Sequence, residues 1–310
     1  MLDRRLLFVT GKGGVGKTTV AAALGLLAAR EGRRTLVCEV DAKGDLSAAL
    51  EVSKVGFAPR EIEPGLFGMA MDTEESLKEY LALQLRLPRL SKLGPLARTF
   101  DFLANAAPGV KEVLTVGKLA WEVRERHYDL VVVDAAASGH VVGQLRAPQA
   151  INELVSVGLV REQTDWMLDL LTDAATTGVV IVAAPEEMPV TESIELVDQL
   201  SSTGVDLAAV VVNRVLPELF GRSEEEIFRR LVDPPASAAL AAVMGGPVER
   251  VLTAARMAVT LRRTRAAHLT RLREGLGPSR SVLYVPELFS RSHGRRATLQ
   301  VAEALAGELS

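Results

Sequence analysis

The stretch Gly11-Lys12-Gly13-Gly14-Val15-Gly16-Lys17-Thr18 decides the fold. It fits the pattern G-x-x-x-x-G-K-S/T. It lies between a short apolar run, Leu6-Leu7-Phe8-Val9, and a helix-like segment from Thr18 to Arg30, with Gly32 just past its end as a stop signal. Each part has a physical use. Gly11, Gly13, Gly14, Val15 and Gly16 bring backbone N–H groups close enough to wrap phosphate oxygens. The following helix turns its positive N-terminal end toward the same anion. Lys17 brings a charge to the β- and γ-phosphates, the Thr18 hydroxyl suits Mg2+, and Thr19 can donate to the α-phosphate. A strand that feeds such a loop into a helix is the first unit of an α/β sheet.

Outward from this unit, short apolar runs alternate with longer helical segments. Thr35 to Val40, Leu66 to Met71, Leu130 to Val133, Val179 to Val182, Ala208 to Val212 and Ser281 to Val285 read as strands. Near-continuous apolar strands separated by helices predict a mostly parallel P-loop sheet of about seven strands, covered on both faces. From Thr73 to His127 the chain is Leu-rich, lacks a convincing strand and is broken by Pro88, Pro95 and Pro108. Residues 73–127 and 141–172 read as helical insertions forming a subdomain, within a single domain spanning 1–310. Ala236 to Leu276 is also helical. Its second half carries Arg256, Arg262, Arg263, Arg265, Arg271 and Arg273, a solvated face or one for an anionic partner.

Composition narrows the function. Lys+Arg 36 against Asp+Glu 39 gives a net charge of −3, without the basic excess of a nucleic-acid binder, so no nucleic acid is expected. Hydrophobic residues at 48% supply a sizeable core. Cys38 stands alone, which excludes an internal disulfide or a four-cysteine zinc site, and it reads as a small buried hydrophobe. His127, His268 and His293 sit at no metal-ligand spacing, so no zinc is expected. The start Met1-Leu2-Asp3-Arg4-Arg5 leads into too few apolar residues for a signal peptide, and no run reaches the ~18 residues of a membrane span; a cytoplasmic protein is expected.

Three further motifs bear on chemistry. Val131-Val132-Val133-Asp134 is an apolar strand ending in a carboxylate, which fits a residue holding Mg2+ through water. It continues as Ala135-Ala136-Ala137-Ser138-Gly139-His140. The second strand leads into Glu39-Val40-Asp41-Ala42-Lys43-Gly44-Asp45-Leu46-Ser47. Glu39 and Asp41, two apart, would point to one side of an extended strand. Asp45 reads equally as a helix cap. Finally, Val210-Val211-Val212-Asn213 ends a strand in an amide that can both donate to and accept from a purine edge. No N-K-x-D guanine motif occurs, so adenine is favoured.

With Lys12 after its first glycine, the loop is the deviant form G-K-G-G-x-G-K-T. It resembles that of the dimerising ATPases that include MinD, ParA, the nitrogenase iron protein and the ArsA group. Residues 134–140 resemble the switch II pattern D-x-A-P-T-G-H of the ArsA and tail-anchored-protein targeting ATPases, with Ala137 for Pro and Ser138 for Thr. Residues 39–47 resemble the switch I pattern S-T-D-P-A-H-x-L-S, with Ala42 for Pro and Gly44 for His. Over most of its length the chain resembles the ArsA-like anion-transporting ATPases, in their actinobacterial-type branch.

The resemblance implies Mg-dependent ATP hydrolysis coupled to opening and closing of a dimer. Lys12 would reach the partner subunit's nucleotide. Asp41 would orient the attacking water, with Glu39 as its rival. The Gly139 backbone would meet the γ-phosphate, Asn213 would bind adenine and Pro286 would pack against it. The dimer would be homomeric or formed with a related ATPase, acting on an unknown protein cargo or membrane partner. The metalloid-binding cysteines of the arsenite pump and the C-x-x-C pair of the targeting factors have no counterpart here, so no metalloid or zinc site is expected. Two alternatives are a positioning ATPase like MinD or ParA and a weakly hydrolysing subunit of a heteromeric complex. Against the first, the tail Ala297 to Leu309 is only mildly amphipathic and has no basic–aromatic face.

Overall fold

A computed structural model describes residues 1–85, 109–155, 157–218, 222–289 and 294–309. Pro88, Pro95, Pro108 and His293 lie outside the described residues. The strands are β1 (Leu6–Thr10), β2 (Thr35–Glu39), β3 (Arg60–Glu63), β4 (Leu66–Ala70), β5 (Leu130–Asp134), β6 (Thr177–Ala183), β7 (Leu207–Val215) and β8 (Val282–Pro286). They form one sheet in the order β3-β4-β2-β5-β1-β6-β7-β8. All neighbours are parallel except β3, which runs antiparallel to β4.

The sheet therefore has eight strands against about seven expected. The addition, β3, is a polar edge strand, Arg60-Glu61-Ile62-Glu63, and such a sequence has neither the apolar run nor the clean alternation that marks a strand. The seven parallel strands lie where the apolar runs predict them, shifted by one to three residues at their ends.

The inward residues divide by the two-residue period of the strands. Leu6, Phe8, Leu36, Cys38, Val131 and Val133 face one layer of helices. Leu7, Val9, Val37 and Val132 face the other. The second layer holds α1 (Lys17–Arg30), α2 (Asp45–Leu50) and the last helix, α11 (Arg295–Leu309), which packs on α1. The first layer holds α4 (Val110–Arg124), α5 (Ser138–Leu154), α6 (Leu159–Thr172), α7 (Glu187–Ser201) and the end of α10 (Glu249–Leu276). Helix α3 (Thr73–Leu85) packs on α4, and α4, α5 and α6 pack on one another. Helices α8 (Arg222–Leu231) and α9 (Pro234–Met244) precede α10, whose Arg256, Arg263 and Arg271 are exposed.

The strand order places the site. From β1 the chain moves to β2 on one side, returns through β5, and crosses to β6 on the other. The carboxyl ends of β1 and its neighbours therefore open at a topological switch point, where ligands settle in such sheets. The glycine-rich loop leaves β1 there.

Candidate functional site

The loop is pressed against the sheet. Gly11 has φ of 144°, and a Cβ on it would lie 2.1 Å from the Val182 carbonyl oxygen. Gly16 has φ of 97°, and a Cβ on it would lie 2.4 Å from Asn213 Nδ2. No side chain fits either place without moving the backbone or Asn213. Val15 is buried and anchors the loop, while Gly13 and Gly14 are exposed. Helix α1 begins at Lys17 with Gly16 as its N-cap, which offers no side chain, and its first turn holds no acidic residue. The first N–H groups of a fourteen-residue helix are thus left without a side-chain cap, the arrangement that suits an anion. Thr19 is half-buried in that turn.

Thr18 and Asp134 meet. The Thr18 hydroxyl donates to Asp134 Oδ2 at 2.6 Å. Asp134 Oδ1 is buried with no hydrogen-bond partner among the described residues. Burial pushes the Asp134 carboxyl up to about 6, against the lowering effects of the Thr18 bond and Lys17, with Glu39 and Asp45 adding to the rise. Burial also lowers Lys17 below the ordinary lysine value, opposed by Asp134 and Asp41; its Nζ donates to the Lys12 carbonyl oxygen at 3.3 Å. The Thr18 hydroxyl and the Asp134 carboxyl, one oxygen of which is orphaned, are two hard oxygen donors. Those residues fit Mg2+.

The elements around this pair carry the switch residues. The Ser138 amide donates to the Gly11 carbonyl at 3.2 Å, and the Thr10 hydroxyl donates to the Ala136 carbonyl at 2.9 Å. These bonds hold residues 136–138 against the loop, so α5 starts beside it with Gly139 exposed in its first turn. Lys12 Nζ is ion-paired with Glu192 of α7, and the other oxygen of Glu192 accepts from the Ser138 hydroxyl at 3.2 Å. Glu192 was invisible to sequence reading, because it is one glutamate on an amphipathic helix and belongs to no motif.

Glu39 and Asp41 have different surroundings. Strand β2 stops at Glu39, and Ala42 has φ of 49°, so the two-residue alternation does not extend to Asp41. Glu39 is 3% exposed, and its Oε1 accepts from the amides of Gly44 and Asp45, each at 2.9 Å. The Asp41 side chain is 49% exposed and is paired with Lys43 at 3.3 Å.

At the other end of the site, the Asn213 amide donates to the Val15 carbonyl at 2.9 Å, and its Oδ1 accepts from the Arg214 amide at 2.9 Å. It keeps one N–H and one lone pair beyond those bonds. Pro286 ends β8 beside Val215 of β7. Arg265 joins this edge to α10, bonding the Arg214 carbonyl and Glu287, both at 3.2 Å. Cys38 is fully buried in β2, and burial pushes its thiol up, away from reactivity.

Comparison with known proteins agrees with this geometry. Residues 4–167 and 152–230 match the anion-transporting ATPase family. The chain is 31% identical over 224 residues to ATPase BagA of Mycobacterium tuberculosis, a match that covers 69% of this chain and 66% of that protein. It is 25% identical over 244 residues to the putative arsenical pump-driving ATPase 2 of Aquifex aeolicus, covering 69% and 81%. It is 25% identical over 256 residues to ATPase GET3 of Podospora anserina, covering 70% and 75%. The matched stretch thus spans just under two thirds of the BagA chain.

Proposed function

The chain belongs to the anion-transporting ATPase family, and on that premise we propose that it hydrolyses ATP with Mg2+ and works as a dimeric switch. The observation that carries the reading is the Thr18–Asp134 pair, with the buried Asp134 and its orphaned oxygen, set beside an uncapped helix N-terminus at the switch point of the sheet. Thr18 and Asp134 would hold Mg2+, which when bound neutralises charge on the phosphates.

The amides of Gly13, Gly14, Val15, Gly16 and Lys17 bind the phosphate chain, and the Lys17 ammonium leaves the Lys12 carbonyl to join them. Thr19 donates to the α-phosphate. Gly139 brings the start of α5 to the γ-phosphate. Asp41, on the exposed switch I loop, orients the attacking water by accepting its hydrogen bond. Lys12 acts across the dimer, on the partner's nucleotide, and must leave Glu192 to do so. Asn213 and Pro286 hold the adenine. The partner is a second copy or a related ATPase. The helices described within 73–127 and 141–172, α3 to α6, carry the surface for a protein cargo or a membrane partner. Among the described residues no helix is long and apolar enough to cross a membrane itself.

The test is ATP turnover by the purified chain. Turnover is expected with Mg2+, none with EDTA, and none in Asp134→Ala; Lys17→Ala should lose nucleotide binding itself. Tight Mg-ATP binding without phosphate release under any condition would overturn the hydrolytic reading.

A further inference from the structure

Switch I begins and ends at fixed points, and one side chain links them. At its start, the Glu39 backbone is held on both sides: its carbonyl accepts from the Met71 amide at 2.8 Å, and the next amide, of Val40, donates to the Asp134 carbonyl at 3.1 Å. At its end stands the first turn of α2, where Gly44 as N-cap offers no side chain of its own. The Glu39 carboxylate reaches that turn from outside and accepts from the amides of Gly44 and Asp45. Four residues, Val40 to Lys43, are thereby closed into a loop. Ala42 is held in it at φ of 49°, a left-handed conformation that is costly for a residue with a Cβ.

We propose that Glu39 is a positioning residue for hydrolysis: by clamping the start of α2 it sets the path of residues 40–43, and so the place of Asp41. This rests on the reading of Asp41 as the residue that orients water. The sequence offers Glu39 as a rival to Asp41, but the geometry gives it another task. One of its oxygens is committed to two amides, and the side chain lies almost wholly inside the protein. Its other oxygen, Oε2, is buried without a hydrogen-bond partner among the described residues. In the β2–β5 register Glu39 is the neighbour of Asp134. Glu39 thus joins the switch that carries Asp41 to the strand end that carries the metal-binding carboxylate.

The experiment compares Glu39→Gln, Glu39→Ala and Asp41→Asn, alone and combined. Glutamine keeps an oxygen that can accept both amides, so Glu39→Gln should stay within about fivefold of wild-type kcat, the loss being that of charge assistance. Alanine releases the loop, and misplacing a catalytic group by about 1 Å costs about 10²-fold. That loss should fall on kcat with ATP affinity retained. In the Asp41→Asn background, Glu39→Ala should add less than about threefold, because the two act as a unit. Amide hydrogen exchange at Gly44 and Asp45 should speed up in Glu39→Ala and not in Glu39→Gln. The proposal is overturned if glutamine is as damaging as alanine, if the losses multiply, or if exchange is unchanged. Wild-type turnover in Asp41→Asn would sink the Asp41 reading instead, and the exchange measurement would still judge the clamp.

Discussion

The two halves of the site are built differently. On one side, Thr18, Asp134 and the start of α1 are packed into the sheet, and Asp134 is 7% exposed. On the other, the Lys12 and Asp41 side chains are 30% and 49% exposed and are engaged with Glu192 and Lys43. On the proposed reading, the first half would hold phosphate and metal before any partner arrives. The second has its charged groups paired with other side chains, and on the proposed reading each would have to change partners to act. On that reading, a site so divided would bind nucleotide in one subunit and postpone chemistry until a dimer closes. Substitutions on the two sides should therefore fail in different ways.

The largest expected effect is on Lys12. A cationic group supplied from a partner is worth about 10³–10⁵ in rate in other P-loop enzymes. Lys12→Ala should bind ATP nearly as well as wild type and lose turnover on that scale. Mixing it with Asp134→Ala should restore one working site per mixed dimer, since the Asp134→Ala chain donates its Lys12 to the other chain's intact metal pair. Mixed dimers that form and stay inactive would remove the partner from the mechanism. Asp41→Asn should come next, with turnover down about 10²–10⁴-fold and ATP binding kept, measured by phosphate release against equilibrium binding.

The fold and the buried half were legible because backbone rules write them into the chain. A loop that wraps phosphate needs glycine where a Cβ would strike Val182 or Asn213, and a central strand needs an unbroken apolar run; both constraints leave local marks. Asp134 follows from position alone, at the end of such a run. The exposed half was read only by its resemblance to known switches, and its connections were not readable. The Lys12–Glu192 pair joins residues 180 apart and the Glu39 clamp depends on a strand stopping one residue early. Neither spacing repeats, so neither leaves a pattern. The edge strand β3 escaped for a related reason: with little to bury, it carries no apolar signature.

The buried half makes a prediction about pH. Folding raises the Asp134 carboxyl from 3.8 to about 6, so the folded protein favours its protonated form. The resulting stability is present in full below the unfolded value and is lost as pH rises through about 6. Above that, the ionised carboxylate is a constant burden of up to about 3 kcal/mol. Without nucleotide or Mg2+, Asp134→Asn should melt higher than wild type at pH 7, and the difference should shrink as pH falls from 6 to 4. A variant that is less stable than wild type at pH 7 would mean that Asp134 is structural rather than held ready for a cation.

The smallest effect tests whether the exposed half is restrained or merely loose. Glu192 grips Lys12 with one oxygen and the Ser138 hydroxyl with the other. Glu192→Gln keeps an oxygen for Ser138 and removes the charge that retains Lys12, so it separates the two roles. The pair is partly exposed, which limits its worth to about 1 kcal/mol, or about fivefold in an equilibrium. If Glu192 restrains Lys12, the variant should dimerise at lower protein concentration with ATP, and its turnover there should rise by up to about fivefold. Salt weakens partly exposed pairs, so the wild type should approach the variant as ionic strength increases. Turnover that falls in Glu192→Gln, at all salt concentrations, would give Glu192 the opposite meaning. It would then belong to the assembled site, holding Ser138 and Lys12 in their working places rather than keeping Lys12 back.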